Sequence, residues 1–191
     1  MKVSENLVLP EGVAPTAQRL FKYWCSLREQ DIVPNRSDLR PAAMLPLLPN
    51  LMILEYRTPG TLIYRLAGTA SAEKLGIDFT GSNLLDHVAP RQRREAEFRL
   101  NVLRTQPCGL IAHEVLRSKH QTPFVAEVIF LPLRDRHGEI TQLIGSASTI
   151  EQGDKGVMAG SDEAMITITT DFLDIGAGVP QFESSRVRRA I

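Results

Sequence analysis

The stretch that decides the fold is residues 109–150: GLIAHEVLR (109–117), SKHQT (118–122), PFVAEVIFLPL (123–133), RDRHGE (134–139) and ITQLIGSASTI (140–150). Three runs of aliphatic, aromatic and β-branched residues alternate with short polar segments. The second segment contains Asp135-Arg136-His137-Gly138, where Asp and Gly supply turn geometry. The pattern predicts three antiparallel strands. In the middle run both alternating sets are apolar apart from Glu127: Phe124, Ala126, Val128 and Phe130 on one face, Val125, Ile129, Leu131 and Leu133 on the other. Such a strand is covered on both faces, so the sheet needs a layer on each side.

Working upstream, Pro90 opens a helix to about Thr105, with proline in its first turn and Glu95 four residues before Arg99. Ala96, Leu100 and Leu103 form its apolar stripe, Phe98 and Val102 widen it, and Pro107 stops it. Before it come two strand-like runs, 50–57 and 61–67, turned by Thr58-Pro59-Gly60, then a helical turn at 69–75 ended by Gly76 and short pieces to residue 88. Strands, short helices, a longer helix and three strands define an α+β domain: a five-stranded antiparallel sheet with helices on one side.

Residues 15–30 carry Ala17, Leu20, Phe21, Trp24 and Leu27 at helical spacing, an N-terminal amphipathic helix. Two destinations are open for that stripe. It can cover the outer sheet face of its own chain, or Leu20, Phe21, Trp24 and Leu27 can pair two chains into a homodimer. Pro34, Pro41, Pro46 and Pro49 then limit residues 31–49 to a connector with a turn or two of helix. The chain thus divides into a flexible leader (1–13), the helix and proline-rich connector (14–49), a core (50–151) and a C-terminal extension (152–191). Within the extension, residues 165–175 read as a strand or extended arm and residues 184–191 as a solvated tail.

Composition narrows the function classes. Twenty-two basic residues balance 22 acidic ones over 191 residues, which argues against a nucleic-acid partner held by bulk charge. The arginines of the long helix, Arg91, Arg93, Arg94, Arg99 and Arg104, are interspersed with Glu95 and Glu97 and read as a solvated face. No 18-residue apolar run and no secretory leader occur, so the expectation is a cytoplasmic chain with no membrane partner. Cys25, Cys108, His87, His113, His120 and His137 lack metal-ligand spacing. Gly145-Ser146-Ala147-Ser148 is not a nucleophile elbow, and Gly76 through Gly81 lacks the lysine of a phosphate loop. No enzyme is expected, the alternative being a small-molecule enzyme on a cup-shaped α+β scaffold.

Several residues in order carry a family resemblance. Glu114 with Arg117, then Leu131-Pro132-Leu133-Arg134-Asp135, Gly138-Glu139-Ile140 and Ile144-Gly145 look like the closing strands of PAS sensory domains. Upstream, Trp24, Pro34, Arg36, Asp38, Pro41, Leu47-Leu48-Pro49, Glu55, Tyr64-Arg65-Leu66-Ala67-Gly68-Thr69 and Gly76 through Gly81 resemble a bacterial subfamily of short, mostly stand-alone PAS proteins. The resemblance spans about residues 18–151. It implies a sensory module acting through contacts with an unidentified signalling protein, with or without a small ligand in the concave face of the sheet. A ligand there is expected among Tyr64, Leu66, Leu75, Phe79, Phe98, Leu103 and Ile144, with Tyr64 as polar handle; a fully packed core is the competing expectation. No cofactor is predicted. Haem is not expected because the long helix lacks histidine, nor flavin because neither cysteine sits in the family's Asn-Cys-Arg-Phe motif.

Overall fold

The alternation of the three closing runs builds the centre of one antiparallel sheet. The computed structural model describes residues 7–152 and 165–180. The strands are β1 (Leu51–Thr58), β2 (Thr61–Ala67), β3 (Gly109–Arg117), β4 (Pro123–Arg134), β5 (Ile140–Gln152) and β6 (Met165–Leu173), in the spatial order β2-β1-β5-β4-β3-β6. The apolar run in the C-terminal extension is therefore a sixth strand, which pairs antiparallel with β3 from Gly109↔Leu173 to Leu116↔Met165. It extends the expected five strands along the edge of β3, a long-range pairing that local pattern cannot specify. Residues 153–164 and 181–191, the rest of that extension with its arginine tail, lie outside the described residues.

The helices are α1 (Pro15–Ser26), α2 (Pro41–Met44), α3 (Thr69–Leu75) and α4 (Arg93–Thr105). Because side chains alternate across a strand, β4 serves two cores at once. Ala126, Val128 and Phe130 face the layer that contains residues of α4, while Ile129, Leu131 and Leu133 face α1.

That second layer decides the fate of the amphipathic helix. Leu20, Phe21, Trp24 and Leu27 are buried in their own chain, Leu20 and Trp24 completely. The Trp24 indole N–H donates to the Pro132 carbonyl at 2.8 Å, and the Arg28 guanidinium lies 5.3 Å from the indole centroid. At the start of the helix, the Ala14 N–H, otherwise without an intrahelical acceptor, donates to Oε1 of Glu127 at 2.9 Å. The expectation that these four residues form a dimer surface is corrected: with both faces of β4 apolar, the outer face takes the helix first. Of the expected leader, Val13 is buried and Leu7 and Leu9 are half-buried against the same layer.

The proline-rich connector closes tightly over the edge of this layer. Asn35 and Asp38 form a reciprocal capping box around one 3-10 turn, and Pro34 accepts from the Arg134 N–H at 3.1 Å. Gly68 lies against the end of the connector, where a Cβ would sit 2.3 Å from the Pro49 carbonyl oxygen, so no side chain fits there. Among the described residues no helix is long and apolar enough to cross a membrane.

Candidate functional site: a cup with a buried acid and a buried phenol

The concave face of the sheet does not close on a packed core. It encloses a cavity of about 190 Å³ between the sheet, α3, α4 and β6. Small residues leave the room: Ala112 of β3 and Ala126 of β4 form part of the lining. Beside them Phe130 lies over Gly145 of β5, where a Cβ would come within 2.7 Å of the ring. For scale, an engineered apolar cavity of about 150 Å³ admits benzene.

The wall opposite is stitched to β2. The Asn83 side-chain carbonyl accepts from Leu62 N–H at 3.0 Å, Tyr64 N–H donates to the Ser82 carbonyl at 3.0 Å, and Gly81 N–H donates to the Tyr64 carbonyl at 2.8 Å. These bonds hold Phe79 across from the sheet, its ring centroid 5.4 Å from that of Tyr64. His87 packs edge-on behind Phe79 at 4.6 Å, with Nε2 2.8 Å from Ser82 Oγ. Burial lowers its pKa, opposed by the charge of Asp86. On the far side, Gln92 clasps β6 at two points: its Nε2 donates to the Thr167 carbonyl at 3.0 Å and its Oε1 accepts from Thr167 N–H at 2.9 Å.

Most of the lining is apolar, which makes its polar members informative. Glu114 of β3 lines the cavity with only 9% of its surface exposed. Among the described residues it has no hydrogen bond and no ion pair within the protein, and desolvation pushes its pKa up to about 7. The Tyr64 hydroxyl likewise makes no hydrogen bond among the described residues, and burial, then the nearby charge of Glu114, raises its pKa. Two cations stand at the cavity with partners of their own. Lys74 Nζ donates to Thr149 Oγ1 at 2.9 Å and lies 4.2 Å from the Phe124 ring centroid, and desolvation lowers its pKa. Arg99 Nη1 donates to Thr170 Oγ1 at 2.9 Å while Nη2 pairs with Glu95.

Of the residues expected around a ligand, Tyr64, Leu75 and Phe79 line the cavity. Leu103 is buried in the same layer without reaching it. Leu66 and Ile144 are corrected to the outer layer, facing α1's side of the sheet. For Ile144 the reason is parity, since its neighbour Leu143 takes the concave face. For Leu66 it is an irregular register: Leu54 pairs with Tyr64 but Ile53 with Leu66, so Arg65 is an extra residue and the strand flips beyond it. Phe98 is corrected to the solvent side of α4, 51% exposed, because it lies two residues from both Ala96 and Leu100, about 200° round the helix. Glu114 was missed as a site residue. Its signal was present: Leu110, Ala112, Glu114 and Leu116 share one face of β3, and one carboxyl interrupts an otherwise apolar set.

Cys108 is fully buried, and burial, with the charge of Asp174 behind it, pushes its thiol up to about 12. Among the described residues no group of three or more His, Cys, Asp or Glu side chains could hold a metal ion.

An antiparallel sheet with α3 and α4 on its concave face is the α+β architecture the sequence pattern pointed to. Residues 13–148 match the family model of the PAS domain, and the chain belongs to that family. No curated protein matches it. Among solved structures it is similar to the light state of the blue-light photoreceptor Aureochrome1 LOV, at 17% identity and TM-score 0.45 over 59% of this chain and 90% of that one. It is also similar to a light-oxygen-voltage domain studied with a flavin analogue, at 14% identity and TM-score 0.46 over 58% and 83%. A third is an RNA-binding light-oxygen-voltage receptor, at 17% identity and TM-score 0.46, with 62% of this chain matching 36% of that one.

These matches correct the expectation on cofactors. The absence of one cysteine motif argued against flavin, yet light-oxygen-voltage domains, one of them described with a flavin analogue, are among the structures similar to this chain.

Proposed function

We propose that this PAS domain is a sensory module that takes a small molecule into its cup and passes its occupancy to a partner protein in the cytoplasm. One observation carries the reading: the concave face holds open space of about 190 Å³ where the outer face, built from the same strands, is packed against α1. Interiors are ordinarily filled to crystal-like density, and a cavity of this size is costly unless something occupies it. Binding fits the chemistry better than catalysis does, because among the described residues Glu114 is the only carboxyl in the lining and no histidine or cysteine joins it. A route outward also exists, since β6 forms one wall of the cavity and its Thr167 is clasped by Gln92 just before α4.

The test is native mass spectrometry of the purified full chain beside an Ala126→Phe variant, followed by thermal-shift screening of small apolar molecules. A ligand held at one hundred times its Kd stabilises the folded state by about 2.7 kcal/mol. The reading expects retained mass or a stabilising compound for the parent chain, lost in a folded Ala126→Phe variant. Binding that is unchanged in the variant places the occupant elsewhere, and a parent chain that neither retains nor accepts any molecule refutes the reading.

A further inference from the structure

Building on the sensory reading above, we propose that the cup selects a neutral, mostly apolar molecule of about one ring bearing a hydrogen-bond-accepting oxygen, which Glu114 as the un-ionised acid and the Tyr64 hydroxyl both donate to. Each is buried, each lines the cavity, and neither has a partner among the described residues. A buried polar group without a partner costs about 1–3 kcal/mol, so a ligand that satisfies two of them gains what an apolar molecule cannot.

The protonation state follows from everything that faces Glu114. Among the described residues, Tyr64 from β2, Lys74 from α3 and Arg99 from α4 are the other ionisable groups of the lining, and β4, β5 and β6 contribute none. Lys74 and Arg99 are engaged by Thr149 and by Thr170 with Glu95, and neither pairs with Glu114. An isolated carboxylate in such a site is expensive to ionise, whereas the acid form is a donor. A ligand cation would have to force that ionisation in a lining that already holds Lys74 and Arg99, and a ligand anion would have to give up its hydration beside two cations that already have partners. A neutral acceptor avoids both costs. Uptake is then tied to a proton: with a pKa of about 7, the acid fraction falls about tenfold between pH 6 and pH 8, and affinity falls with it.

Four probes of one shape decide the matter: cyclohexanone, methylenecyclohexane, cyclohexylamine and cyclohexanecarboxylate, titrated into the full chain by NMR at pH 6 and pH 8. The expectation is that cyclohexanone binds tightest and weakens about tenfold at the higher pH. Glu114→Gln, which keeps a donor, should retain the ketone with no pH dependence. Glu114→Leu and Tyr64→Phe should reduce the preference for the ketone over methylenecyclohexane. If Glu114→Leu does not fold, the pH profile of Glu114→Gln decides alone, and a profile like that of the parent overturns the proposal. Tightest binding of the amine or the carboxylate, or equal binding of ketone and hydrocarbon, overturns the proposed ligand class while leaving a ligand-binding cup. Failure of all four probes to bind the parent chain overturns the proposed ligand class, and the sensory reading falls with it only if the parent chain also retains and accepts no other molecule.

Discussion

Replacing Glu114 by Gln should change how the stability of this protein depends on pH. In the unfolded chain the carboxyl titrates near its ordinary value of 4.5, and in the fold burial holds the proton until about pH 7. Below pH 4.5 both states carry the proton, and Glu114 places no pH-dependent load on the fold. Between the two values the unfolded chain has released its proton and the folded one has not, so stability falls as pH rises. Above pH 7 the full penalty is present. The difference of about 2.5 between the values 4.5 and 7, at 1.36 kcal/mol per unit, corresponds to ~3 kcal/mol. Gln cannot ionise, although its amide brings a burial cost of its own at every pH. The quantity to measure is therefore the stability of Glu114→Gln minus that of the parent, from urea unfolding at half-unit steps from pH 4 to pH 9. That difference should rise by about 3 kcal/mol in favour of the variant across the range and level off above pH 8, with other titrating groups cancelling between the proteins. A flat difference would mean that Glu114 is solvated or paired in the folded state, and the account of it as a buried acid without a partner among the described residues would fail.

Three more changes test the rest of the architecture. Leu20→Ala, at a fully buried position of the outer layer, should cost about 2–5 kcal/mol in chemical denaturation. Changing Phe21 and Trp24 together to polar residues should unfold the chain by circular dichroism instead of halving its mass in light scattering, because both side chains are buried against their own sheet. Gly68→Ala should destabilise by at least about 1–3 kcal/mol, since the new methyl meets the Pro49 carbonyl and backbone must move, whereas a neighbouring exposed change such as Glu73→Ala should stay within about 0.5 kcal/mol.

The strands were legible because the hydrophobic period and the turn residues agree. Thr58-Pro59-Gly60 and Asp135 through Gly138 both mark connections between strands, and β4 shows two apolar faces in one dimension. That the outer face would need a cover was equally readable; that α1 would be the cover, and not a second chain, was a competition between surfaces that only three-dimensional proximity decides. The cup residues were harder. Tyr64 and Phe79 were reached through the resemblance, but Leu66 lies just past the extra residue Arg65, and an irregularity of one residue reverses every assignment beyond it. Ile144 failed on parity alone, although Leu143 beside it offered the same composition. Glu114 was visible as a carboxyl among apolar residues, and only its setting between the concave sheet and β6 gives that anomaly a chemical meaning.

The sixth strand bears on where this module can be cut. The family match stops at residue 148, and a fragment ended there would carry every motif that identifies it. It would also lose the strand that occupies the edge of β3 from Gly109 to Leu116, together with the Met165 carbonyl that accepts from Ala89 N–H at 2.9 Å. The open row of N–H and C=O groups left behind is a template for another chain's strand, and such edges aggregate. Boundaries for excision, fusion or domain grafting therefore belong beyond residue 175, where Ile175 is still fully buried, and a shorter piece that precipitates would report its missing edge and not an unstable family core.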